Sequence, residues 1–313
     1  MQRQYTGTAG RIENAQVAVY LSNAAPAGHA LIDRELYLPR SRADDPARCQ
    51  AAGVPAGTGF ATKPQLARRM IERAVTARVP FAWAAGDEVY GDNGPLRGWL
   101  EDSQIRYVLA VACDHRVPAG AGHLRADKIA ASLPRRSWQR LSAGPGARGH
   151  RYHDRAWITI PDPRPGHRWL LIRRTPRTGE LAFCRCYAPQ QVPLATLVTV
   201  AGRRWTVEEN FQAGKGLAGL DEHQARRWTS WYRWVTLAML AAAFLTIAAA
   251  SEHACTPAPA GQIPLTRNEI AHLLASLTSP ARDARHRMHW SRWRRRHQHR
   301  ARACHYQRQS ARE

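Results

Sequence analysis

Two groups of charged residues have the types and spacing needed for chemistry at a phosphate. The first is Asp87, which ends the apolar, strand-like run FAWAAG just as the chain turns. A buried carboxylate costs free energy unless it is paired, hydrogen-bonded or bound to a metal, so we expect Asp87 to have a partner. The second is the segment RWTVEENFQAGK, in which Arg204, Glu208 and Lys215 repeat at about one and two helical turns. This spacing predicts that the three side chains lie near one helix face.

The second group has a simpler interpretation as a solvated ion pair, worth a few tenths of a kcal/mol. The position of this group in the chain favours a functional site instead. The helix with Glu208 leads into the most apolar stretch of the sequence, so we expect it to pack on the sheet that ends in Asp87. Carboxylates from a strand end and a helix can hold one or two Mg²⁺ or Mn²⁺ ions, which align water and leaving group for attack at phosphorus.

The overall charge indicates a nucleic-acid partner. The chain has 313 residues and a formal charge of +22, and Arg supplies 43 of its 46 cationic side chains. Such a balance favours a polyanion, although a GC-rich coding bias also enriches Arg. The six cysteines and the lack of a signal-peptide pattern indicate a reduced, cytoplasmic and nucleoid-associated protein. Cys184 and Cys186 lack a second ligand pair, which favours a strand with two thiols over a zinc site.

The order of elements predicts an α/β fold. Two strands that form a hairpin, a helix after Pro64, the strand that ends in Asp87, a helix and a further strand occupy residues 16–113. Asp87 would then lie at the carboxyl end of a strand, where open sheets bind their ligands. The run VTLAMLAAAFLTIAAA is shorter than a bilayer span needs and is interpreted as a buried core helix.

The remaining chain divides into segments of different composition. Three short strands follow a Gly/His/Arg loop at GPGARGHRYHDRAW, the chain is helical from Ala201, and an Arg-rich tail is predicted to be disordered until it meets a polyanion. The predicted domains are 1–113, the first part of the α/β domain; 114–200, a β-rich insertion; 201–253, its helical completion; 254–280, a linker and helix; and 281–313, the disordered tail.

These motifs resemble those of a known family. DEVYG at Asp87, with Tyr90 three residues later, the Arg204, Glu208 and Lys215 spacing, and the run GLAGLDEHQARRWTSWYRWVTLAML are similar to the DDE transposases of bacterial insertion sequences, most closely the insertion-sequence-701 branch. The resemblance covers nearly the whole chain up to about Leu277. It implies an RNase H-like catalytic core interrupted by a small β-rich insertion and followed by C-terminal helices and a basic tail.

The resemblance also implies roles for individual residues. Asp87 would be the second acid of the catalytic triad and Glu208 the third, and together they would hold Mg²⁺ or Mn²⁺ in a two-metal site. Tyr90, Arg204 and Lys215 would contact the double-stranded DNA of the transposon ends, and related transposases act as homodimers on paired ends. No membrane association is implied. The family signature opens with a Tyr three residues before the Arg, where this chain has Ala201.

The first acid of the triad has no counterpart in the sequence. In the family it lies on a strand that should precede the segment with which this chain begins. We therefore expect a truncated chain that lacks the first catalytic Asp and is inactive alone. The alternative is a non-catalytic DNA-binding remnant that uses Lys215, Arg226, Arg227 and the Arg-rich tail. A basic RNA-binding protein is a further alternative, which base-stacking aromatic side chains would favour; the eleven tryptophans sit mostly in core-like patterns.

Overall fold

The fold is taken from a computed structural model of the chain. The structure describes residues 2–6, 10–119, 122–146, 149–224, 226–256, 258–278 and 283–310. Parts of the predicted loop at 144–157, of the linker at 254–280 and of the tail at 281–313 lie outside these residues.

Twelve strands are described. They are β1 (Gln2–Thr6), β2 (Arg11–Ala15), β3 (Val17–Ala25), β4 (Gly28–Tyr37), β5 (Ala84–Gly86), β6 (Tyr107–Val111), β7 (Arg116–Ala119), β8 (Gly122–Arg125), β9 (Gln139–Gly146), β10 (Gly149–Thr159), β11 (His167–Arg174) and β12 (Leu181–Ala188).

Eleven α-helices are described. They are α1 (Arg40–Ala43), α2 (Pro46–Ala52), α3 (Lys63–Thr76), α4 (Glu88–Gly91), α5 (Gly94–Asp102), α6 (Ala126–Ser132), α7 (Leu194–Arg203), α8 (Thr206–Ala218), α9 (Trp228–Cys255), α10 (Arg267–Thr278) and α11 (Ala284–Ser310).

The chain folds into two compact units. One, called the hairpin unit, contains 1–62, 69–71 and 206–313; the other, called the sheet unit, contains 63–68 and 72–205. The mixed α/β class is confirmed, whereas the RNase H-like core, the insertion and the predicted domain boundaries stay predictions.

The sheet unit is built on one six-stranded sheet in the order β5-β6-β12-β11-β10-β9. β5 runs parallel to β6, and the other neighbours are antiparallel. The three strands predicted after the Gly/His/Arg loop are confirmed as β10, β11 and β12, and they join the same sheet as β5 and β6. The loop itself was predicted wrongly, because its described residues pair as the hairpin β9–β10.

Both faces of this sheet are covered, which explains the unbroken apolar run in β11. Successive side chains of a strand point to opposite faces. Trp169 and Leu171 accordingly join one cluster with Leu197 and Val198 of α7, while Leu170 and Ile172 join another together with residues of α6. Because residues on both faces are buried, the strand sequence shows no alternation of apolar and polar residues. The two clusters hold the centre of the sheet in place.

A buried ion pair fixes α5 on the sheet. The Glu101 carboxylate accepts hydrogen bonds from Arg168 Nε and Nη2 at 3.0 and 2.8 Å, and from the Tyr107 hydroxyl at 2.7 Å. Glu101 and Arg168 are both buried, and removal of one partner from such a pair leaves an uncompensated charge. The pair therefore ties the helix that follows the Asp87 segment to β6 and β11.

The hairpin unit is built on the predicted hairpin, now seen as β3–β4, against which α8 and α9 pack. Its core contains Leu31 of β4 and, from α9, Trp231, Val235 and Met239. A second hairpin, β1–β2, precedes it and had no counterpart among the predicted elements.

The apolar helix α9 differs from the predicted buried core helix. One face is buried, but four large side chains on the other are more than half exposed: Leu237, Leu240, Phe244 and Ile247. By length and composition α9 could cross a membrane, and 28% of its most apolar 18-residue stretch is buried in the fold. Core helices of soluble proteins can have the same length and composition. We call these four residues the α9 stripe.

The Arg-rich tail also differs from the prediction, because residues 284–310 form the helix α11. Arg is a good helix former, and tertiary contacts hold one side of the helix. Arg294 Nη2 lies 2.6 Å from a Glu269 carboxylate oxygen of α10, Arg295 Nε donates to the Ile263 carbonyl at 2.9 Å, and Ser291 is buried. Composition alone suggested disorder because it does not show these partners.

Candidate active site

Asp87 lies at the carboxyl end of β5, as predicted, but its environment differs from the prediction. The residue is exposed, so no desolvation cost has to be offset by a buried partner. Its side chain caps α4 instead, since Oδ1 accepts a hydrogen bond from the backbone N–H of Val89 at 3.0 Å. Asp is a preferred residue at a helix N-cap. The cap orients the carboxylate through Oδ1 and does not engage Oδ2.

Tyr90 packs at the same strand end. A Cβ atom on Gly86 would lie 3.0 Å from the Tyr90 ring and 3.1 Å from Leu109, so glycine at this position makes room for the ring. Burial, with the nearby charge of Asp87, raises the pKa of Tyr90 above its usual value. The hydroxyl is therefore protonated at neutral pH and can donate a hydrogen bond to a phosphate oxygen.

Gly91 brings α4 into direct contact with the sheet. A Cβ atom there would lie 1.7 Å from the carbonyl oxygen of Ala110, which no side chain can occupy. The final glycine of DEVYG thus sets how closely the segment with Asp87 and Tyr90 approaches β6. Sequence reasoning identified the motif but not this reason for its glycine.

Asp92 and His115 form a pair that the sequence did not predict. Asp92 Oδ1 lies 2.6 Å from His115 Nδ1, and Oδ2 accepts from the backbone N–H of Ala112 at 3.2 Å. Burial lowers the pKa of His115, while the hydrogen bond to Asp92 acts in the opposite direction. The pair ties the end of α4 to the loop after β6. Its two residues are 23 positions apart, and no spacing rule would have connected them.

The second predicted group is divided by a helix boundary. α7 ends at Arg203, and Arg204 follows at its C-cap, with its guanidinium 6.0 Å from the Trp205 ring centroid. Glu208 and Lys215 lie on α8, seven residues apart, and share one face. The prediction that Arg204 continues the same helix was wrong, because the chain turns at Arg204 and Trp205.

Glu208 and Glu209 have different surroundings despite being adjacent and exposed. Glu209 Oε2 lies 3.0 Å from His29 Nε2. Glu208 has no hydrogen-bond or ion-pair partner among the residues that the structure describes. An unpaired, solvated carboxylate is free to bind a cation, and the assignment of the third acid to Glu208 stays a prediction.

The position of α8 depends on a polar network around Asn210, which the sequence did not predict. Asn210 is buried; its Oδ1 lies 2.8 Å from His29 Nδ1, and its Nδ2 donates to Ser22 Oγ at 2.6 Å. Arg267 Nη1 approaches Oδ1 at 3.5 Å. The network connects α8 to the β3–β4 hairpin and to α10. Its members come from three distant segments, so periodicity carries no sign of them.

The other predicted DNA-binding cations lie on the hairpin unit. Lys215 Nζ is 4.0 Å from an Asp221 carboxylate oxygen. Arg226 and Arg227 are exposed just before α9, beside a groove that is also lined by Arg42 and Trp228. Three exposed or partly exposed cations around one groove fit a phosphate-binding surface.

The strand predicted for Cys184 and Cys186 is confirmed. Cys184 and Cys186 lie on β12, and burial raises the pKa of the Cys184 thiol to about 11. Protonated thiols are poor metal ligands. Within the described ranges no group of three or more His, Cys, Asp or Glu side chains is placed to hold a metal ion. Asp87 belongs to the sheet unit and Glu208 to the hairpin unit, and a shared metal site stays a prediction.

Comparison with known proteins finds two similarities, each over part of the chain. Residues 1–153, which include β5 and Asp87, match the family model of DDE superfamily endonucleases. The predicted resemblance to DDE transposases of insertion sequences is confirmed. The chain is 26% identical over 118 residues to a protein of Microchaete diplosiphon described as a probable transposase for insertion sequence element IS701. The match covers 37% of this chain and 28% of that relative.

Proposed function

We propose that the chain acts on the DNA ends of an insertion sequence as part of a DDE transposase. The observation that carries this proposal is Asp87, an exposed carboxylate held at a strand end by its own helix cap, within the segment that matches the DDE endonucleases. Glu208, exposed and unpaired among the described residues, would be the partner acid. The predicted absence of the first acid of the triad stays a prediction.

The donor chemistry of these residues fits Mg²⁺ or Mn²⁺. Both ions prefer carboxylate oxygens and keep several waters, so two open carboxylates are a suitable part of a site. Asp87 and Glu208 would hold the ions, which supply an activated water and stabilise the leaving oxygen in phosphodiester cleavage. Asp87 presents Oδ2 for this purpose because its Oδ1 is engaged in the helix cap.

Phosphate binding would use the cations and the hydroxyl already described. Arg204 can form a bidentate contact with a phosphate, Lys215, Arg226 and Arg227 supply further positive charge, and Tyr90 donates a neutral hydrogen bond. Double-stranded DNA is the proposed partner, and a homodimer on paired ends follows from the family resemblance. These contacts position the DNA and carry no base-specific information.

The test uses the adjacent acids as matched pairs. Binding of Mn²⁺ to the full chain is measured by electron paramagnetic resonance for the variants Asp87→Asn and Glu208→Gln, with Glu88→Gln and Glu209→Gln as controls. We expect the first two variants to lose Mn²⁺ binding and the controls to retain it. Unchanged binding in Asp87→Asn and Glu208→Gln would contradict the proposed site.

Cleavage gives a second readout on the same proteins. A labelled duplex that contains the ends of the element encoding the chain is incubated with Mn²⁺, alone and with a full-length homologous transposase. Nicking that requires Asp87 and Glu208, but not Glu88 and Glu209, supports the proposal. Nicking that survives both substitutions would assign the chemistry to other residues.

A second candidate function is DNA binding without catalysis. The net charge of +22 and the exposed Arg226 and Arg227 beside the groove favour it. In this case Asp87→Ala leaves duplex affinity unchanged and the chain binds no Mn²⁺. Replacement of Arg226 or Lys215 by Gln then makes the slope of log affinity against log salt concentration shallower by about one for each lost phosphate contact.

A further inference from the structure

The helix α11 presents an aromatic stripe to solvent. His286, Trp290, Trp293 and His297 are spaced four, three and four residues apart, which places them along one face of the helix. Their rings are in contact: the centroids of Trp290 and Trp293 are 5.4 Å apart, and those of Trp293 and His297 are 5.5 Å apart. The exposed fractions of Trp290 and Trp293 are 43% and 51%. We call these four residues the α11 stripe.

The α11 stripe does not serve the packing of α11 onto α10. That packing uses Ser291 and Arg294, while Arg295 bonds Ile263 in the segment before α10; all three lie on a different side of the helix. Large exposed aromatic side chains are unfavourable in water, so two neighbouring tryptophans on a solvent-facing side indicate a binding surface. The expectation that tryptophans serve the core therefore does not hold for this pair.

The charge around the α11 stripe selects the partner. α11 contains nine Arg residues and no Asp or Glu. Arg292, Arg296 and Arg300 are exposed and follow one another at four-residue intervals, beside the α11 stripe on the side away from α10. A row of guanidinium groups next to flat aromatic rings suits a polyanion that also offers rings for stacking. An acidic protein would satisfy only the first requirement.

We propose that α11 binds single-stranded nucleic acid, with unpaired bases stacked on Trp290 and Trp293 and the phosphates held by Arg292, Arg296 and Arg300. Base stacking on aromatic side chains and backbone contact with Arg are the usual features of such surfaces. Bases in a duplex are already stacked and cannot use the tryptophan faces. The proposal therefore goes beyond the double-stranded ends of the proposed function and needs no metal.

The experiment compares single strands with a duplex on the full chain. Fluorescence anisotropy measures affinity for labelled oligothymidylate, oligouridylate and a mixed-sequence duplex, without divalent metal. For Trp290→Ala/Trp293→Ala we expect single-strand affinity to fall about ten-fold or more, because each lost stack typically costs about five-fold or more and two are lost. Duplex affinity should stay unchanged. A stronger effect on oligothymidylate or on oligouridylate identifies DNA or RNA as the natural strand.

Two controls keep the result interpretable. Trp290→Phe/Trp293→Phe retains flat rings and should retain single-strand affinity, whereas Met288→Ala removes a side chain with the same 43% exposure as Trp290 and should change nothing. Circular dichroism checks that each variant keeps its helix content. An equal loss of single-strand and duplex affinity, or no loss in Trp290→Ala/Trp293→Ala, would overturn the proposal. Because no metal or cleavage is involved, failure of the proposed Asp87 and Glu208 site would leave this result intact.

Discussion

The segments that carry Asp87 and Glu208 are held in place by different forces. α4, which follows Asp87, is fixed by close backbone packing: Gly91 lies directly against the Ala110 carbonyl, and Gly86 leaves room for Tyr90. α8, which carries Glu208, is fixed by the buried Asn210, whose Oδ1 accepts a hydrogen bond from His29 and whose Nδ2 donates one to Ser22. Added volume should therefore damage the first segment most, and loss of a polar partner the second.

Gly91→Ala should have the largest effect on stability. The new Cβ cannot fit 1.7 Å from the Ala110 carbonyl oxygen, so α4 must move away from β6. We expect the free energy of unfolding to fall by about 3 kcal/mol, at the upper end for overpacking. Urea denaturation measures this. Gly98→Ala, in α5 with open space around the position, is the control and should raise stability by about 0.5 kcal/mol.

Asn210→Ala tests the polar side of the comparison. Removal of this buried amide breaks its hydrogen bonds with His29 Nδ1 and Ser22 Oγ, which should lower the free energy of unfolding by about 2 kcal/mol. The control is Glu208→Ala on the same helix, which should change stability by less than about 0.5 kcal/mol. Similar losses in the two variants would show that the network does not hold α8.

His115 should make the stability of the fold depend on pH. Burial lowers its pKa below the usual value of 6.5, so the unfolded chain takes up a proton at a higher pH than the folded protein. The stabilising contribution is therefore complete above pH 6.5 and is lost as the pH falls below that value. Urea denaturation above and below this pH measures the loss. His115→Ala should remove this pH dependence. It should also lower the free energy of unfolding by about 1 kcal/mol, because the hydrogen bond to Asp92 is lost.

Glu209→Gln should have the smallest effect. The Glu209 side chain is half exposed, and its contact with His29 is screened by water and salt. We expect a loss of about 0.5 kcal/mol that disappears at high salt. A loss as large as that of Asn210→Ala would place Glu209 among the residues that hold α8.

The sequence predicted elements with clear local signals and missed those that depend on distant partners. The helix α3 and the hairpin β3–β4 follow from periodicity, and the position of Asp87 follows from the end of an apolar run. The strand β5 ends one residue earlier, at Gly86, because Asp87 caps α4. An Asp directly before a helix is a known N-cap signal, so the sequence does indicate this boundary.

Other features had no local signal. The hairpin β9–β10 has a Gly/His/Arg-rich sequence without apolar alternation, and it forms because β11 offers an edge for pairing. The break at Arg204 falls inside a segment with suitable helical spacing. The pairs Asp92–His115 and His29–Asn210 join residues 23 and 181 positions apart, which only the folded chain reveals.

The α9 stripe has a practical consequence for how this protein behaves in dye-based assays. Leu237, Leu240, Phe244 and Ile247 are each more than half exposed in the folded state. Dyes such as ANS fluoresce on exposed apolar surface, which is usually taken as a sign of a partly unfolded protein. Here the native fold itself supplies that surface. A thermal-shift assay should therefore start with high fluorescence before any unfolding, while circular dichroism on the same sample shows an intact helical fold.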